Sequence, residues 1–162
     1  IVQCADSTAS LDMISPEMYE KYVFPFEKRF FAAIKPLCAK YDAVSLLHIC
    51  GNNAKVFHLY AQTGADIVAV DHKADLSFAK GVMGDRVCVI GNLDPTSVLL
   101  QGSQAEVEKA VRSCIEKAAP GGGYIIGSGC EVAVKTPHEN IKTVIRIARE
   151  YSYQANENSL KL

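Results

Sequence analysis

The sequence predicts an α/β protein built on a parallel sheet, either an open doubly wound sheet or part of a (β/α)8 barrel. Four short runs rich in β-branched residues recur at 43–50, 65–71, 86–94 and 123–130. These runs are almost continuously apolar, as strands covered on both faces should be. Each is followed by a segment with helical periodicity, and such alternation is typical of parallel strands joined by right-handed crossovers.

A further strand and a long helix are predicted ahead of these runs. The opening residues, IVQCAD, have the composition of the end of a strand. Residues 15–41 then follow a helical pattern, with Ser15 as N-cap and Pro16 in the first turn. Pro25 and Pro36 are expected to kink or divide this helix, because proline lacks the N–H that an interior turn requires.

The later helices carry their own start and stop signals. The helix after the second run is expected to close at Gly84. The third run is followed by a loop and an amphipathic helix that begins with an S-x-x-E capping box at Ser103 and Glu106. For the last helix, the T-x-x-E pattern predicts Thr136 as N-cap, with Glu139 in the first turn.

Composition excludes several classes of protein. The chain has 162 residues, of which 49% are hydrophobic, enough for one domain with a core. With 17 basic and 18 acidic residues, it lacks the basic surface that nucleic acid requires. No apolar run approaches the roughly 18 residues of a membrane helix. The six cysteines form no CxxC pair or dense framework, which favours a reducing, cytoplasmic location over a disulfide-rich secreted domain.

The length also bears on the architecture. A closed (β/α)8 barrel usually needs about 200 residues or more, so five strands in this chain would form an incomplete barrel. The start, Ile-Val-Gln-Cys, has neither an initiator methionine nor a secretory signal pattern. Because a half barrel leaves strand edges unpaired, we expect it to pair with another copy as a homo-oligomer or with a missing N-terminal half.

Polar and ligand-type residues stand at the end of every predicted strand. They are Asp6, His48 with Cys50, Asp71 with His72, Asn92 with Asp94, and Cys130 with Glu131. In both candidate architectures the carboxyl ends of the strands form the reactive edge. This convergence indicates a functional site at that edge.

His48 and Cys50 are candidate metal ligands. Residues i and i+2 of a strand face the same side, so both side chains could reach one ion, and a thiolate with an imidazole favours zinc. The pair alone is equally compatible with a buried histidine beside an inert cysteine. Cys130, on a turn with two glycines, offers a third soft ligand. Three protein ligands with one open position are typical of catalytic zinc.

Three other residues are candidates for roles around this site. Asp71 could occupy the open metal position, orient His48 or move a proton, and a solvated strand-end carboxylate is the alternative. Asn92 and Asp94, within GNLDP, could line a substrate pocket or form a structural turn. The remaining histidines have no comparable setting: His58, His72 and His138.

Several longer segments are familiar when taken together. They are DSTASLDMISPEMYEKYVFPFEKRF, HICGN, GADIVAVD, IGNLDP and GSGCEV followed by TPHENI. In this order they resemble the uroporphyrinogen decarboxylase-like superfamily, and more closely its corrinoid-dependent branch of methylcobalamin:coenzyme M methyltransferases. The resemblance implies a (β/α)8 TIM barrel. Residues 1–162 would form a single-domain fragment, the C-terminal half or slightly more, with about strands 4 to 8.

The resemblance also implies site residues. A His-x-Cys pair and a distant cysteine hold zinc in this branch, and they correspond to His48, Cys50 and Cys130. An acidic residue after the sixth strand corresponds to Asp71, and one before TAS to Asp6, so both are candidate catalytic residues. Uroporphyrinogen decarboxylases have a GHG segment where this chain has GSGCE, and they use no metal. The resemblance at this position therefore favours the methyltransferase branch.

The function implied is zinc-dependent methyl transfer between a corrinoid and a thiol such as coenzyme M. Coordination to zinc deprotonates a thiol and makes it a nucleophile toward the methyl group. The methylcobalamin or related corrinoid would be carried by a separate protein docking over the barrel mouth. A metal-free porphyrinogen carboxy-lyase and a non-enzymatic relative are the alternatives, and the methyl donor, the acceptor and the direction stay open.

Overall fold

Five parallel strands form one sheet in the computed structural model, which describes the backbone of residues 1–159 and the side chains of residues 1–151. The strands are β1 (Val2–Ala5), β2 (Ser45–His48), β3 (Ile67–Ala69), β4 (Cys88–Leu93) and β5 (Tyr124–Ser128). Their order in space is the same as their order in the chain. All four neighbouring pairs are parallel, as the apolar runs predict.

Helices follow each strand. They are α1 (Pro16–Met18), α2 (Phe24–Lys40), α3 (Phe57–Tyr60), α4 (Leu76–Met83), α5 (Gln104–Ala118) and α6 (His138–Ser159). Short 3-10 turns span Ser7–Ala9 and Ala54–Val56, and π-helical segments span Tyr19–Val23 and Pro95–Leu100. Within the described residues, no helix has the length and apolarity that crossing a membrane requires.

The sequential strand order decides between the two predicted architectures. A doubly wound sheet reverses its strand order at a switch point, whereas neighbouring strands of a (β/α)8 barrel follow one another. One face of the sheet is covered, since Leu47, Val68 and Val89 are each 0% exposed. The opposite face lines a cavity with Leu46 and Ile90. This is the arrangement of one part of a barrel, with β1 and β5 at the sheet edges.

The register brings the ends of the strands to one edge. Ala5, His48, Ala69 and Ile90 form one row across four strands. His48 is the last residue of β2, so its side chain lies where the chain leaves the sheet. The loops after all five strands therefore meet at the same edge, as predicted from parallel pairing.

The two prolines predicted to kink or divide the helix differ in outcome. Pro25 stands in the first turn of α2, after a π-helical segment, so the predicted division occurs there. Pro36 lies inside α2, which continues to Lys40, so the helix is not divided at this position. Buried side chains on both sides of the proline, Phe31 and Cys38, hold this part of the helix against the core.

The helix starts are also partly as predicted. Ser103 and Glu106 form the complete capping box of α5. Thr136 is not the N-cap of α6, because the helix begins at His138. The Thr136 N–H donates to the Ala133 carbonyl in a preceding turn, and among the described residues its buried Oγ1 finds no hydrogen-bond partner.

A buried carboxyl group lies in the first turn of α2. Glu27 is 4% exposed, and Oη of Tyr19 donates a 2.5 Å hydrogen bond to its Oε2. Burial raises the pKa of Glu27 to about 7; the hydrogen bond from Tyr19 opposes this shift, and the charge of Asp6 adds to it. The carboxyl group therefore favours its protonated form in the folded protein.

Because the carboxyl group of Glu27 is buried, we expect the free energy of unfolding to fall as pH rises. Between the ordinary pKa of 4.5 and about 7, the folded state binds more protons than the unfolded state. The contribution of Glu27 to the free energy of unfolding is complete below pH 4.5 and is lost as pH rises through 7. Relative to Glu27→Gln, the wild type should lose on the order of 1–3 kcal/mol over this interval. Urea unfolding across the interval measures the difference, and parallel pH profiles for the two proteins would contradict it.

Candidate metal centre

Three predicted ligands meet at the carboxyl edge of the sheet. The Sγ atom of Cys50 lies 3.3 Å from Nε2 of His48 and 3.4 Å from Sγ of Cys130. The remaining pair, Sγ of Cys130 and Nε2 of His48, is 3.9 Å apart. All three side chains are half-buried, and they are the group of potential ligands that the described residues bring together. The structure thus joins residues that lie up to 82 positions apart in sequence.

The donor set fits zinc. Zinc–sulfur bonds of about 2.3 Å and zinc–nitrogen bonds of about 2.0–2.1 Å, in a tetrahedron, separate neighbouring ligand atoms by roughly 3.5–3.8 Å. The observed separations of 3.3, 3.4 and 3.9 Å bracket this range. One imidazole and two thiols also match the soft ligands that zinc prefers, and they leave a fourth position for another group.

The alternation of side chains along β2 was predicted to put Cys50 on the same side as His48. This reason is wrong. β2 ends at His48, so Cys50 lies two residues beyond the strand. Gly51 follows with φ of +93°, and a Cβ there would lie 2.5 Å from Oγ of Ser10 and 2.7 Å from Oδ2 of Asp12. The chain therefore turns sharply at a glycine that packs against the loop after β1. The position of the Cys50 thiol is a property of this turn.

Cys130 is held by a second close backbone contact. β5 ends at Ser128, and the N–H of Gly129 donates to the Leu93 carbonyl at 2.7 Å. A Cβ on Gly129 would overlap the backbone nitrogen of His72. The loop that carries Cys130 therefore packs directly on the end of β3, which brings the thiol across the sheet edge.

Burial sets the protonation of the metal-free ligands. It lowers the pKa of His48, while the charge of Asp71 and the Ala69 backbone oppose the shift. The neutral imidazole that results is the form that binds metals. Burial also raises the pKa of Cys130, and its hydrogen bond with Cys50 adds to the effect. Metal binding must therefore displace thiol protons.

A cavity of about 540 Å³ opens beside the three ligands on the uncovered face of the sheet. Its lining mixes apolar strand residues with the ligands and two serines. The lining residues are Gln3, Ala5, Ser7, Leu46, His48, Cys50, Ala69, Ile90, Gly127, Ser128, Cys130 and Glu131. A small molecule in this cavity would contact the open side of the ligand cluster.

Asp71 ties the end of β3 to the loop that carries Cys50. Its side chain is 4% exposed, and Oδ2 accepts a 2.8 Å hydrogen bond from the N–H of Gly51. Oδ1 accepts from the N–H of Lys73 at 2.9 Å and lies 3.0 Å from Nδ1 of His72. The Asp71 carboxylate therefore holds the backbone at Gly51 and Lys73 in place. Its predicted catalytic role stays a prediction.

Asn92 and Asp94 make structural hydrogen bonds and do not line the cavity. The amide of Asn92 donates to the carbonyls of Asp71 at 3.1 Å and of Ala74 at 2.9 Å. Asp94 accepts two backbone N–H groups at the start of the π-helical segment 95–100. Their predicted contact with substrate stays a prediction.

Asp6 lies apart from the ligand cluster. Gln3 and Ala5 line the cavity, whereas Asp6, which follows the end of β1, is not among the lining residues. Oδ1 of Asp6 accepts a 2.8 Å hydrogen bond from Oγ1 of Thr8. The charge of Asp6 also acts on the buried Glu27. Its predicted catalytic role stays a prediction.

Two residues at this edge were assigned no role from the sequence. Ser7, one residue after Asp6, places Oγ 3.6 Å from Sγ of Cys50 and lines the cavity. The His72 ring lies between two carboxylates, with Nε2 3.8 Å from Oδ2 of Asp94. Both directly follow a strand-end aspartate, which is the signal that could have indicated them.

A methyl group at Gly129 should disrupt the packing of the Cys130 loop. In Gly129→Ala the new Cβ meets rigid backbone at His72, so we expect a loss of about 1–3 kcal/mol of unfolding free energy. Gly81→Ala is the matched control, because α4 offers open space there and alanine favours a helix by up to about 1 kcal/mol. Chemical denaturation compares the two, and equal stabilities would refute the contact.

Comparison with known proteins agrees with this architecture. Residues 1–151 match the family described as uroporphyrinogen decarboxylase (URO-D). Over 148 residues the chain is 34% identical to the methylcobamide:CoM methyltransferase MtbA of Methanosarcina mazei, covering 91% of this chain and 41% of that relative. Over 158 residues it is 32% identical to a uroporphyrinogen decarboxylase of Nostoc punctiforme, covering 98% and 42%.

A solved structure supports the partial barrel. A methyltransferase from Methanosarcina mazei superposes with a TM-score of 0.80 at 26% sequence identity, over 93% of this chain and 42% of that one. The chain thus spans about two fifths of the length of the relatives it matches, at 41% and 42%. It forms part of a (β/α)8 barrel and belongs to the uroporphyrinogen decarboxylase (URO-D) family.

Proposed function

We propose that the protein acts in zinc-dependent transfer of a methyl group between a corrinoid and a small thiol such as coenzyme M. The observation that carries this proposal is the cluster of His48, Cys50 and Cys130, which faces a cavity of about 540 Å³. Three soft ligands with an open fourth side are typical of zinc in a catalytic role rather than a structural one.

The names of relatives support the choice of reaction. MtbA of Methanosarcina mazei is named for methylcobamide and CoM, and a second relative in that organism, 29% identical, is named a methylated-thiol–coenzyme M methyltransferase. Uroporphyrinogen decarboxylases match at similar identity, so the family alone does not select the reaction. The ligand cluster favours methyl transfer, because its donor set fits a thiol-binding metal that porphyrinogen decarboxylation does not require.

Each residue of the cluster contributes a definite property. Zinc, when bound, supplies a Lewis acid that lowers the pKa of a thiol ligand. His48 is a neutral donor, while Cys50 and Cys130 each give up a proton on binding. The cavity beside them carries apolar side chains, such as Leu46 and Ile90, on one wall. These residues would hold a small thiol near the open ligand position.

A separate protein is proposed to carry the corrinoid. Two apolar side chains in loops at the carboxyl edge are exposed, Met13 at 73% and Val134 at 102%. Met13 lies in the loop after β1 and Val134 in the loop after β5, the two strands at the sheet edges. A docking protein that covers this edge would bury them.

A metal-free porphyrinogen carboxy-lyase is the second candidate. The match to the URO-D family and the 32% identity to the Nostoc punctiforme enzyme favour it. The two candidates differ in their need for Cys130, since only the methyltransferase requires a third soft ligand at this position.

Metal analysis tests the ligand set directly. The purified protein should bind one zinc per chain, and Cys130→Ser should lower the affinity at least about tenfold. Cys88→Ser is the control, because Cys88 is also half-buried but lines a cavity at the opposite, amino-terminal edge of the sheet. Equal zinc content in all three proteins, or none in the wild type, would contradict the proposed site.

The reaction has its own test. With methylcobalamin and coenzyme M, the wild type should accelerate loss of the methylcobalamin absorbance, and a chelator or Cys130→Ser should abolish the acceleration. Cys88→Ser should keep it. Chelator-insensitive decarboxylation of uroporphyrinogen, with no methyl transfer, would select the second candidate.

A further inference from the structure

Asn53 makes three hydrogen bonds to the loop of Cys50 and a fourth to the loop after β1. Its side chain is fully enclosed, with 1% of its surface exposed. Nδ2 donates to the carbonyls of Ile49 and Cys50, each at 3.0 Å, and of Gly51 at 3.3 Å. Oδ1 accepts from the N–H of Leu11 at 2.8 Å. The two N–H groups of one amide thus serve three successive carbonyls of the ligand loop, with one N–H shared between two of them.

The loop needs such support because the sheet no longer provides it. The parallel ladder ends at His48, so the following carbonyls lie outside the strand pairing. Ile49 is 2% exposed and Gly51 is buried, and a buried carbonyl without a partner costs about 1–3 kcal/mol. The amide of Asn53 supplies these partners and, in doing so, fixes the backbone on both sides of Cys50.

The hydrogen bond from Leu11 extends this support to a second loop. Leu11 lies in the loop after β1, 42 residues before Asn53. The same loop carries Ser7, whose Oγ lies 3.6 Å from Sγ of Cys50. Asn53 therefore fixes the Cys50 backbone relative to the segment that also contacts the Cys50 thiol.

We propose that Asn53 is a positioning residue that holds the Cys50 thiol toward His48 and Cys130 and thereby sets the metal affinity of the site. The inference rests on the proposed zinc site. Asn53 does not touch the ligand atoms themselves; it acts through the backbone that presents Cys50. Both ends of its amide are used, so a residue with only acceptors cannot replace it.

Neighbouring asparagines provide a matched pair of variants. Asn53→Asp keeps the acceptor for Leu11 but turns a carboxylate oxygen toward three carbonyl oxygens. Asn52→Asp makes the same chemical change one residue nearer to Cys50, yet Asn52 is exposed and accepts only a 3.3 Å hydrogen bond from Ala54. A general effect of negative charge near the site would act in both variants.

Zinc affinity, measured by competition with a chromophoric chelator, is the main measurement. We expect Asn53→Asp to weaken zinc binding about 10- to 100-fold and Asn52→Asp to stay within about twofold of wild type. The cobalt(II)-substituted proteins should show altered thiolate-to-metal absorption in Asn53→Asp alone. The thermal midpoint of each metal-free protein is measured in parallel, because a merely structural residue would lower the midpoint and leave the affinity and spectrum of the folded protein unchanged.

Every outcome bears on the inference. Wild-type affinity and spectrum in folded Asn53→Asp overturn it, while the zinc site itself stands. If Asn53→Asp does not fold, Asn53→Ser, which keeps one hydroxyl donor, is measured instead and should also bind zinc more weakly than Asn52→Asp. Failure of both to fold assigns Asn53 to the fold and overturns a positioning role. Absence of zinc from the wild type overturns the proposed function, and this inference with it.

Discussion

The parallel hydrogen-bond ladder is the constraint on which the site depends. It aligns Ala5, His48, Ala69 and Ile90 in one row, so neighbouring strands end at the same edge. The sequential order of the strands leaves one face of the sheet without helices, and the cavity forms there. Sequence positions as distant as His48 and Cys130 can share one ligand cluster only because this register brings their loops together.

Beyond the ends of the strands, buried polar side chains supply the hydrogen bonds that hold the loops together. Asn92 donates to the carbonyl of Asp71, and the Asp71 carboxylate accepts from the N–H of Gly51. Asn53 then donates to the Gly51 carbonyl and accepts from Leu11. These contacts link β4 to the loops after β3, β2 and β1 in one continuous series. The series reaches the backbone of the Cys50 turn from both sides.

The sequence is informative wherever one segment determines its own structure. Apolar runs predicted the five strands, and cap residues predicted two helix starts, at Ser15 and Ser103. Residue types at the strand ends predicted His48, Cys50 and Cys130 as one group. Contacts between distant segments were not predictable in this way. Asn53 has the composition of an ordinary turn residue, and Glu27 that of a solvated helix position, until tertiary packing buries them. Strand alternation was also the wrong reason for the position of Cys50, because the local sequence pattern does not show that β2 ends at His48.

X-ray absorption at the zinc edge tests the central claim most directly, because it counts the atoms bound to the metal. The account predicts two sulfur neighbours at about 2.3 Å and one imidazole nitrogen at about 2.0–2.1 Å in the zinc-loaded protein. Addition of the thiol substrate should raise the sulfur count from two to three. A shell made only of nitrogen and oxygen atoms, or a sulfur count that does not change with any thiol, would contradict an open site built from His48, Cys50 and Cys130.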